Sequence, residues 1–561
     1  MTRHTMKSPV LPPRGPLPHG RCSVPIPARP PAPIPSRAPK PAVAPRLPLK
    51  PLGALVCLFL GAAPAAFAQF GAPPAPAPSA TILPSSGRNN QGGSVNAAEQ
   101  PVPGTTTSVN TLNPSIAISG PYSGSMSSTA ALPFHGKLSL ADALKRALAY
   151  NLGSVGVAHM AIENAAQVRA ARSALLPNIS SAISETVEQV DLAALGVRIS
   201  IPFPGVRIPT VAGPFNYINA QANLSQEIAN LTAIDNYRSA RATARASRHT
   251  LDDARDLVTL AVGAAYLQVL AAKARLDAAQ VQLDTANAVF HQSAEQHEQG
   301  VLGRLNVDQN QVRTLTQQQQ IITLRNDLAK QKISLARLTG LPPNPNYGLT
   351  DSFPFSAAPV QTVDEAVAQA EQQRDDLQAA QLQVDAAAKA LSAARAERLP
   401  SLAVSGDYQV IGTNPSEAHG AFSVTGTLSI PIWPGGRTGS DIAQARAVLA
   451  QRQAELEDTR GQIEAEVREV YLDLEAAAGQ VEVARKNLQV AQETLEMTRA
   501  RMEAGVINTL EVVQAQQTVS SAQLDLINSI FAHNLAKLSL ARALGHASEQ
   551  LPRLLKPQAN P

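Results

Sequence analysis

The chain has 561 residues, 44 of them proline and only two cysteine, with 47 basic against 43 acidic residues and a formal charge of +4. That total hides a split: residues 1–50 hold fifteen prolines, nine Lys or Arg and no acidic residue, so the other 38 basic and 43 acidic residues leave −5, and a nucleic-acid binder loses its electrostatic basis. Both cysteines, Cys22 and Cys57, precede residue 69, which excludes a disulfide or thiolate metal site from everything after it.

Residues 1–68 read as a leader. The apolar run "LGALVCLFLGAA" is followed by "PAAFAQ", with Ala66 and Ala68 in the A-x-A arrangement of a signal-peptidase site, which predicts an exported protein cleaved after Ala68. The run is too short to span a bilayer, and no other such run is expected after it. The basic region before it is long for a signal peptide, so either translation starts downstream of Met1 or the leader is disordered. "ALV" before Cys57 lacks the small residue a lipid-modified cysteine needs. Residues 69–136 are Pro, Ala, Gly, Ser and Thr without apolar periodicity and predict a flexible tether.

The body beyond is written twice. Residues 137–345 form a first repeat and 362–545 a second, joined by a linker at 346–361 and followed by a tail at 546–561. "LSLADALKRALAYN" from Leu138 corresponds to "QTVDEAVAQAEQQR" from Gln361, and Pro177 to Pro400, at an offset of 223. Further on the offset is 205, because the first repeat carries a longer insertion, "DLAALGVRISIPFPGVRIPTVAGPF".

After each Leu-Pro come two stretches with period-two alternation, the pattern of strands. The clearest are 422–430 and 401–410, then 218–225, and more weakly the segment of Ile179, Ile183 and Val187. One apolar and one polar face over about ten residues suits a strand crossing a membrane in a water-filled barrel. A sheet lying on a soluble core has the same alternation, but no partner layer is evident and the chain is exported. Four strands cannot close a barrel alone, and an open edge in lipid strands its backbone groups. Two copies give eight strands around a filled interior; three give twelve and room for a pore, which the chemistry favours.

Long helices follow, since residues 215–341 and 435–551 contain no proline. Ile463, Val467, Val470, Leu474, Ala477, Val481, Ala484, Leu488, Ala491, Leu495, Thr498 and Met502 step by four and three. The residues 205 earlier, from Val258 to His297, repeat the seam. A sustained 3.5-residue seam predicts supercoiled rods of about forty residues, roughly 60 Å at 1.5 Å per residue. Each rod ends in a glycine turn. "EQGVLGRLNVDQNQ" at Glu298 and "EAGVINTLEVVQAQ" at Glu503 agree at half of their fourteen positions, including Gly300/Gly505, Val301/Val506 and Leu305/Leu510. A helical stretch then runs back, so each glycine marks the tip of a hairpin.

The duplicated hairpins, the Leu-Pro before each strand pair, the "SIPIWPGGRTGSDIAQARA" segment with Trp433, Pro434, Gly435 and Gly436, and the "AGVINTLEVVQAQ" tip together resemble the TolC-like outer-membrane efflux and secretion channels. The resemblance covers Leu138 to Gly545. It implies a mixed α/β membrane protein: long α-helical coiled-coil hairpins forming an α-barrel, plus four transmembrane β-strands per protomer in a shared twelve-stranded trimeric β-barrel. It implies a homotrimer in outer-membrane lipid, with a periplasmic adaptor and an inner-membrane transporter docking at the tips around Gly300, Val301, Leu305, Gly505, Val506 and Leu510, and it implies no cofactor. By the same resemblance Glu511 is the acidic residue that rings the pore constriction, against the plainer reading of a solvated helical charge. The family's second acidic position falls on Gln514, and its tip-locking Tyr and Arg positions fall on Met502 and Ile507, a departure from that lock.

Enzyme readings find no G-x-S-x-G, P-loop, H-E-x-x-H or dinucleotide fingerprint. His291 and His297, six apart, fall on different sides of a helix, and no metal site is read from them. Trp433 suits either an interfacial anchor or packing on the helix start. A periplasmic coiled-coil adaptor or scaffold without a pore is the competing reading; it shares the hairpins but leaves the four amphipathic strands unexplained.

Overall fold

A computed structural model describes residues 95–102, 111–126, 134, 136–196, 210–351, 361–414, 416–504, 506–507 and 509–555. The expected leader and signal-peptidase site lie outside the described residues.

The two repeats reproduce each other element by element. Helices α1 (Leu140–Tyr150) and α2 (Leu152–Ser173) recur as α5 (Val363–Gln373) and α6 (Asp375–Ala396), with every boundary displaced by 223. Each pair starts on a cap: Ser139 accepts from the Asp142 N–H at 3.1 Å, and Thr362 forms a capping box with Glu365. Helices α3 (Leu231–Glu298) and α4 (Arg304–Leu338) recur as α7 (Arg437–Glu503) and α8 (Thr509–Ala543). A short C-terminal helix, α9 (Ala547–Leu555), follows.

The rods are longer than the forty residues the seam suggested: α3 has 68 and α7 has 67, about 100 Å each. The extra length of α3 is packed on α6 through small residues, so it leaves no heptad signal. Ala242 and Ala246 of α3 are buried, as are Ala386 and Ala394 of α6. Ser239 Oγ donates to the Ala386 carbonyl (2.8 Å) and Ser392 Oγ to Asp235 (2.6 Å). Where the seam was expected, every one of its positions in both rods is buried or half-buried. Along the long hairpins the packing order is α4, α3, α8, α7; nearer the strands it is α2, α3, α6, α7.

Two sequence expectations fail. The segment 69–136 is not simply a tether: β1 (Val95–Val102) and β2 (Thr111–Ile118) pair antiparallel, and Val95 and Ile118 join the apolar core of α3 and α8. β2 alternates in sequence, with Leu112, Pro114, Ile116 and Ile118 against Thr111, Asn113, Ser115 and Ala117, a strand signal set within the Pro- and Ser-rich segment. Nor is the leader's apolar run the last of its kind, because α3 contains a stretch long and apolar enough to cross a membrane. That stretch is mostly buried within the chain, among α1, α8 and the β1–β2 hairpin.

Short parallel strands β3 (Lys137–Leu138) and β6 (Gly348–Leu349) tie the start of the first repeat to the linker. Just beyond β6, Asp351 accepts from the Tyr266 hydroxyl (2.7 Å) and from the Leu140 N–H (2.8 Å).

Strands β4 (Asn178–Asp191), β5 (Val211–Ala229), β7 (Ser401–Gly412) and β8 (His419–Ser429) form one antiparallel sheet in the order β4-β5-β7-β8. Its register aligns like with like across both repeats. Ile179, Leu224, Gly406 and Val424 lie in one row, then Ser181, Ala222, Tyr408 and Phe422, then Ile183, Ala220, Val410 and Gly420. The alternate rows hold Ser180, Asn223, Asp407 and Ser423, then Ala182, Gln221, Gln409 and Ala421. Because successive side chains point to opposite faces, one face is apolar and the other polar. Among the described residues nothing covers the apolar face: Ile179, Ile183, Phe422 and Val424 are all exposed.

Candidate functional site

The hairpin tips are built by backbone closure rather than side-chain contacts. At the first, Gly300 has φ +73° and its N–H donates to the His297 carbonyl (2.9 Å), while the Val301 N–H donates to that of Gln296 (2.9 Å). These two bonds are the Schellman closure of a helix C-terminus, which needs a left-handed residue where Gly300 sits. His297 Nδ1 donates to the Leu302 carbonyl at 2.7 Å, which fixes the tautomer because a carbonyl only accepts. At the second tip the Val506 N–H donates to the Arg501 carbonyl (3.0 Å), the equivalent six-residue bond. Gly505 itself lies outside the described residues.

These turns hold apolar side chains in solvent. Val301 is 74 % exposed, Leu305 69 %, Val506 65 % and Leu510 60 %. Val512, one turn into α8, is buried. Each tip thus presents an aliphatic pair outward while the next turn closes the coil. Glu511 lies in the first turn of α8, where the helix dipole favours an acid, and Gln514 lies three residues on, on the same side; both are exposed. Met502 and Ile507 are half-buried. The Arg304–Asp308 pair beside Leu305 (3.0 Å) is exposed and adds little stability.

The strand-to-helix joint sits at the opposite end of α7. Gly435 and Gly436 have φ of +65° and +87°, and Gly436 is the N-cap of α7. Both are in the left-handed region, so the turn out of β8 uses the two residues that enter it without a Cβ penalty. Trp433 is 85 % exposed and does not pack on the helix start within the chain.

Two polar clusters escaped the sequence reading. At the junction of the repeats, Arg542 of α8 bonds Asp253 of α3, and Arg374, at the N-cap of α6, bonds Asp376 (2.7 Å) and Glu466 of α7. Burial pushes the Asp253 carboxyl up to about 6, outweighing the neighbouring Arg542. Nearer the tips, a cavity of about 110 Å³ lies between the two hairpins, lined from α3, α4, α7 and α8 and including Arg313 and Arg499. No period announces either cluster, because each is assembled from both repeats.

A family model described as outer membrane efflux protein matches residues 144–341 and 366–546. The outer membrane protein TolC of Vibrio cholerae is 25 % identical over 392 residues, which cover 68 % of this chain and 87 % of that protein. Among solved structures, the CmeC outer membrane channel of Campylobacter jejuni is similar with a TM-score of 0.62 at 18 % identity, covering 74 % of this chain and 89 % of that one. A membrane protein from Pseudomonas aeruginosa has a TM-score of 0.62 at 20 % identity, covering 72 % and 93 %. At these identities the structures speak for the fold.

Proposed function

The chain belongs to the outer membrane efflux protein family, and from that premise we propose that it is the channel subunit of a tripartite efflux pump or type I secretion system, working as a homotrimer. Three copies of the four-stranded sheet would close one twelve-stranded barrel in the outer membrane, and the hairpins would continue it as a helical tunnel across the periplasm. The tunnel conducts passively what an inner-membrane transporter and a periplasmic adaptor deliver.

One observation carries this reading: sheet and helices have the same order and the same open margins. The sheet ends on β4 and β8, and the helical layer on α4 and α7, so the first repeat supplies one margin and the second the other. Both helical margins carry exposed apolar side chains at heptad spacing, Val312, Leu315 and Ile322 on α4, and Val483, Val490 and Met497 on α7. A rod with a second seam calls for a second partner. Joining α7 of one copy to α4 of the next satisfies both stripes while β8 meets the next β4. The apolar sheet face then meets lipid and the polar face lines water, which a pore-less adaptor does not require.

The tips give the mechanism. Val301, Leu305, Val506 and Leu510 form the adaptor-docking surface, and partners bias the hairpins between coiled and splayed packings. Three copies of Glu511 at the narrowed end favour cations. The Tyr and Arg of the family's lock are replaced by Met502 and Ile507, so closure rests on other contacts. Trp433 serves as an interfacial anchor at the barrel's periplasmic rim.

The test is fractionation and electrophysiology of the full chain. Heat-modifiable trimers in the outer membrane and ion conductance in planar bilayers are expected. A stable water-soluble monomer without conductance would overturn the proposal.

A further inference from the structure

We propose that the cavity between the two hairpins is a binding site for a small inorganic oxyanion, with phosphate as its representative. The cavity is walled by α3 and α4 of the first repeat and α7 and α8 of the second, with about 110 Å³ of room. One water needs about 10–15 Å³ on this measure, so the space holds several waters or one tetrahedral anion, and no peptide.

Its chemistry is one-sided. Arg313 comes from α4 and Arg499 from α7, so each hairpin contributes one guanidinium, and the lining contains no Asp or Glu. Among the described residues neither arginine forms an ion pair. Arg313 places Nη2 at 3.4 Å from the Val513 carbonyl, a weak bond, and its Nη1 is buried without a partner. Gln317, which also lines the cavity, leaves Oε1 buried and unpartnered. Gln516, Ser520 and Gln523 supply the remaining donors. A buried guanidinium donor without a partner is costly, and burial already lowers the pKa of Arg313. A metal ion finds no ligand among guanidiniums, and Val281, Ala286, Leu495 and Val519 form the apolar remainder of the wall. An oxyanion accepts from both arginines at once, in the forked geometry that arginine offers.

The location gives the site a consequence. Arg313 is nine residues into α4, about 14 Å from the tip, so the ligand would sit inside the coiled region and not at the docking surface. Because its two arginines belong to different hairpins, the anion binds only while the hairpins are together, and it stabilises that packing in proportion to its concentration.

Hydrogen exchange on the full chain, purified as its native oligomer in detergent, tests this. Sodium phosphate is compared with sodium gluconate at equal ionic strength. At phosphate ten times its dissociation constant, exchange through openings that break the site should slow about elevenfold in residues 281–286, 313–317, 495–499 and 516–523, with residues 300–306 unaffected. R313Q and R499Q, each first shown to assemble like the wild type, should lose this protection, and R499K should keep part of it. Protection that survives in R499Q, or that is uniform or absent in the wild type, overturns the proposal. Should a variant fail to assemble, the wild-type pattern alone decides between these outcomes.

Discussion

The junction between the repeats makes a signed prediction about pH. Asp253 has a side chain 19 % exposed, bonds Arg542, and faces Asp376 and Arg374 from the α5–α6 joint and Asp256 from its own helix. Burial is the largest influence on it and raises its carboxyl from 3.8 to about 6, with Asp376 and Asp256 adding to the rise and the two arginines opposing it. The folded state therefore holds this proton more tightly than the unfolded chain. Its contribution to stability is complete below about pH 4 and is lost as pH rises through 6. A carboxyl raised from 3.8 to about 6 corresponds to about 3 kcal/mol in total. Asp253→Asn keeps the shape and an acceptor for Arg542 but removes the titration. Denaturation of the detergent-solubilised protein, wild type against D253N, reads this group together with its coupling to Asp376 and Asp256. The wild type should lose about 2 kcal/mol relative to D253N between pH 4 and pH 7. Either of two results would refute the reasoning: a flat difference, which means that Arg542 cancels burial, or a wild type that gains as pH rises, which means that Arg542 outweighs it and holds the carboxyl down.

Three further outcomes test the functional reading. Val424→Arg places a charge on the apolar sheet face and should cost about 2–4 kcal/mol per copy in lipid, sharply reducing trimer in the outer membrane; Thr425→Arg, on the polar face, should be tolerated, and equal loss from both would contradict the two-faced sheet. Leu305→Ala with Leu510→Ala should weaken binding of the cognate adaptor about tenfold per leucine, on the scale of about 1–2 kcal/mol for partial loss of leucine burial, as read by biolayer interferometry; an unchanged Kd would remove the tips as the docking surface. Glu511→Gln should lower cation preference in planar bilayers, and identical reversal potentials in a salt gradient would show that no carboxylate ring forms.

How much of this was legible in the sequence follows from where the stabilising contacts lie. Boundaries fixed by a local signal could be read directly: the Leu-Pro at Leu176 and Leu399, and the glycine at Gly300. The seam positions were legible because burial along a rod repeats every 3.5 residues. The first 27 residues of α3 were not, since Ala242 and Ala246 meet the alanines of α6 through close backbone approach, which leaves no large apolar residue to count. The β1–β2 hairpin was legible in part, since Leu112, Ile116 and Ile118 alternate with polar or small residues in β2, but β1 has no comparable alternation and the surrounding Pro, Gly and Ser content masks the pair. The tip residues could be named from the repeated turn, but the cavity with Arg313 and Arg499 could not, because it exists only once two hairpins 200 residues apart in sequence lie side by side.

The two halves differ most where their surroundings differ, and this explains the apolar stretch of α3. Ala261, Ala264 and Leu270 of α3 are buried, while the residues 205 further on are Glu466, Glu469 and Glu475. Leu267 is 1 % exposed, but its counterpart Leu472 is 67 % exposed. The seam between these positions is the same in both rods, so the coil imposes it on each. The remaining faces of α3 are covered by α1, α8 and the β1–β2 hairpin, and they have become apolar all round. On α7 only the seam is covered within the chain, so its other faces keep charges: Glu466 reaches Arg374, Arg468 reaches Glu464, and Leu472 stands on the margin assigned to a neighbouring copy. A duplicated rod that sits inside the layer in one repeat and at its edge in the other must diverge in this way. The apolar stretch of α3 therefore marks the centre of the protomer, and the mixed surface of α7 marks its border.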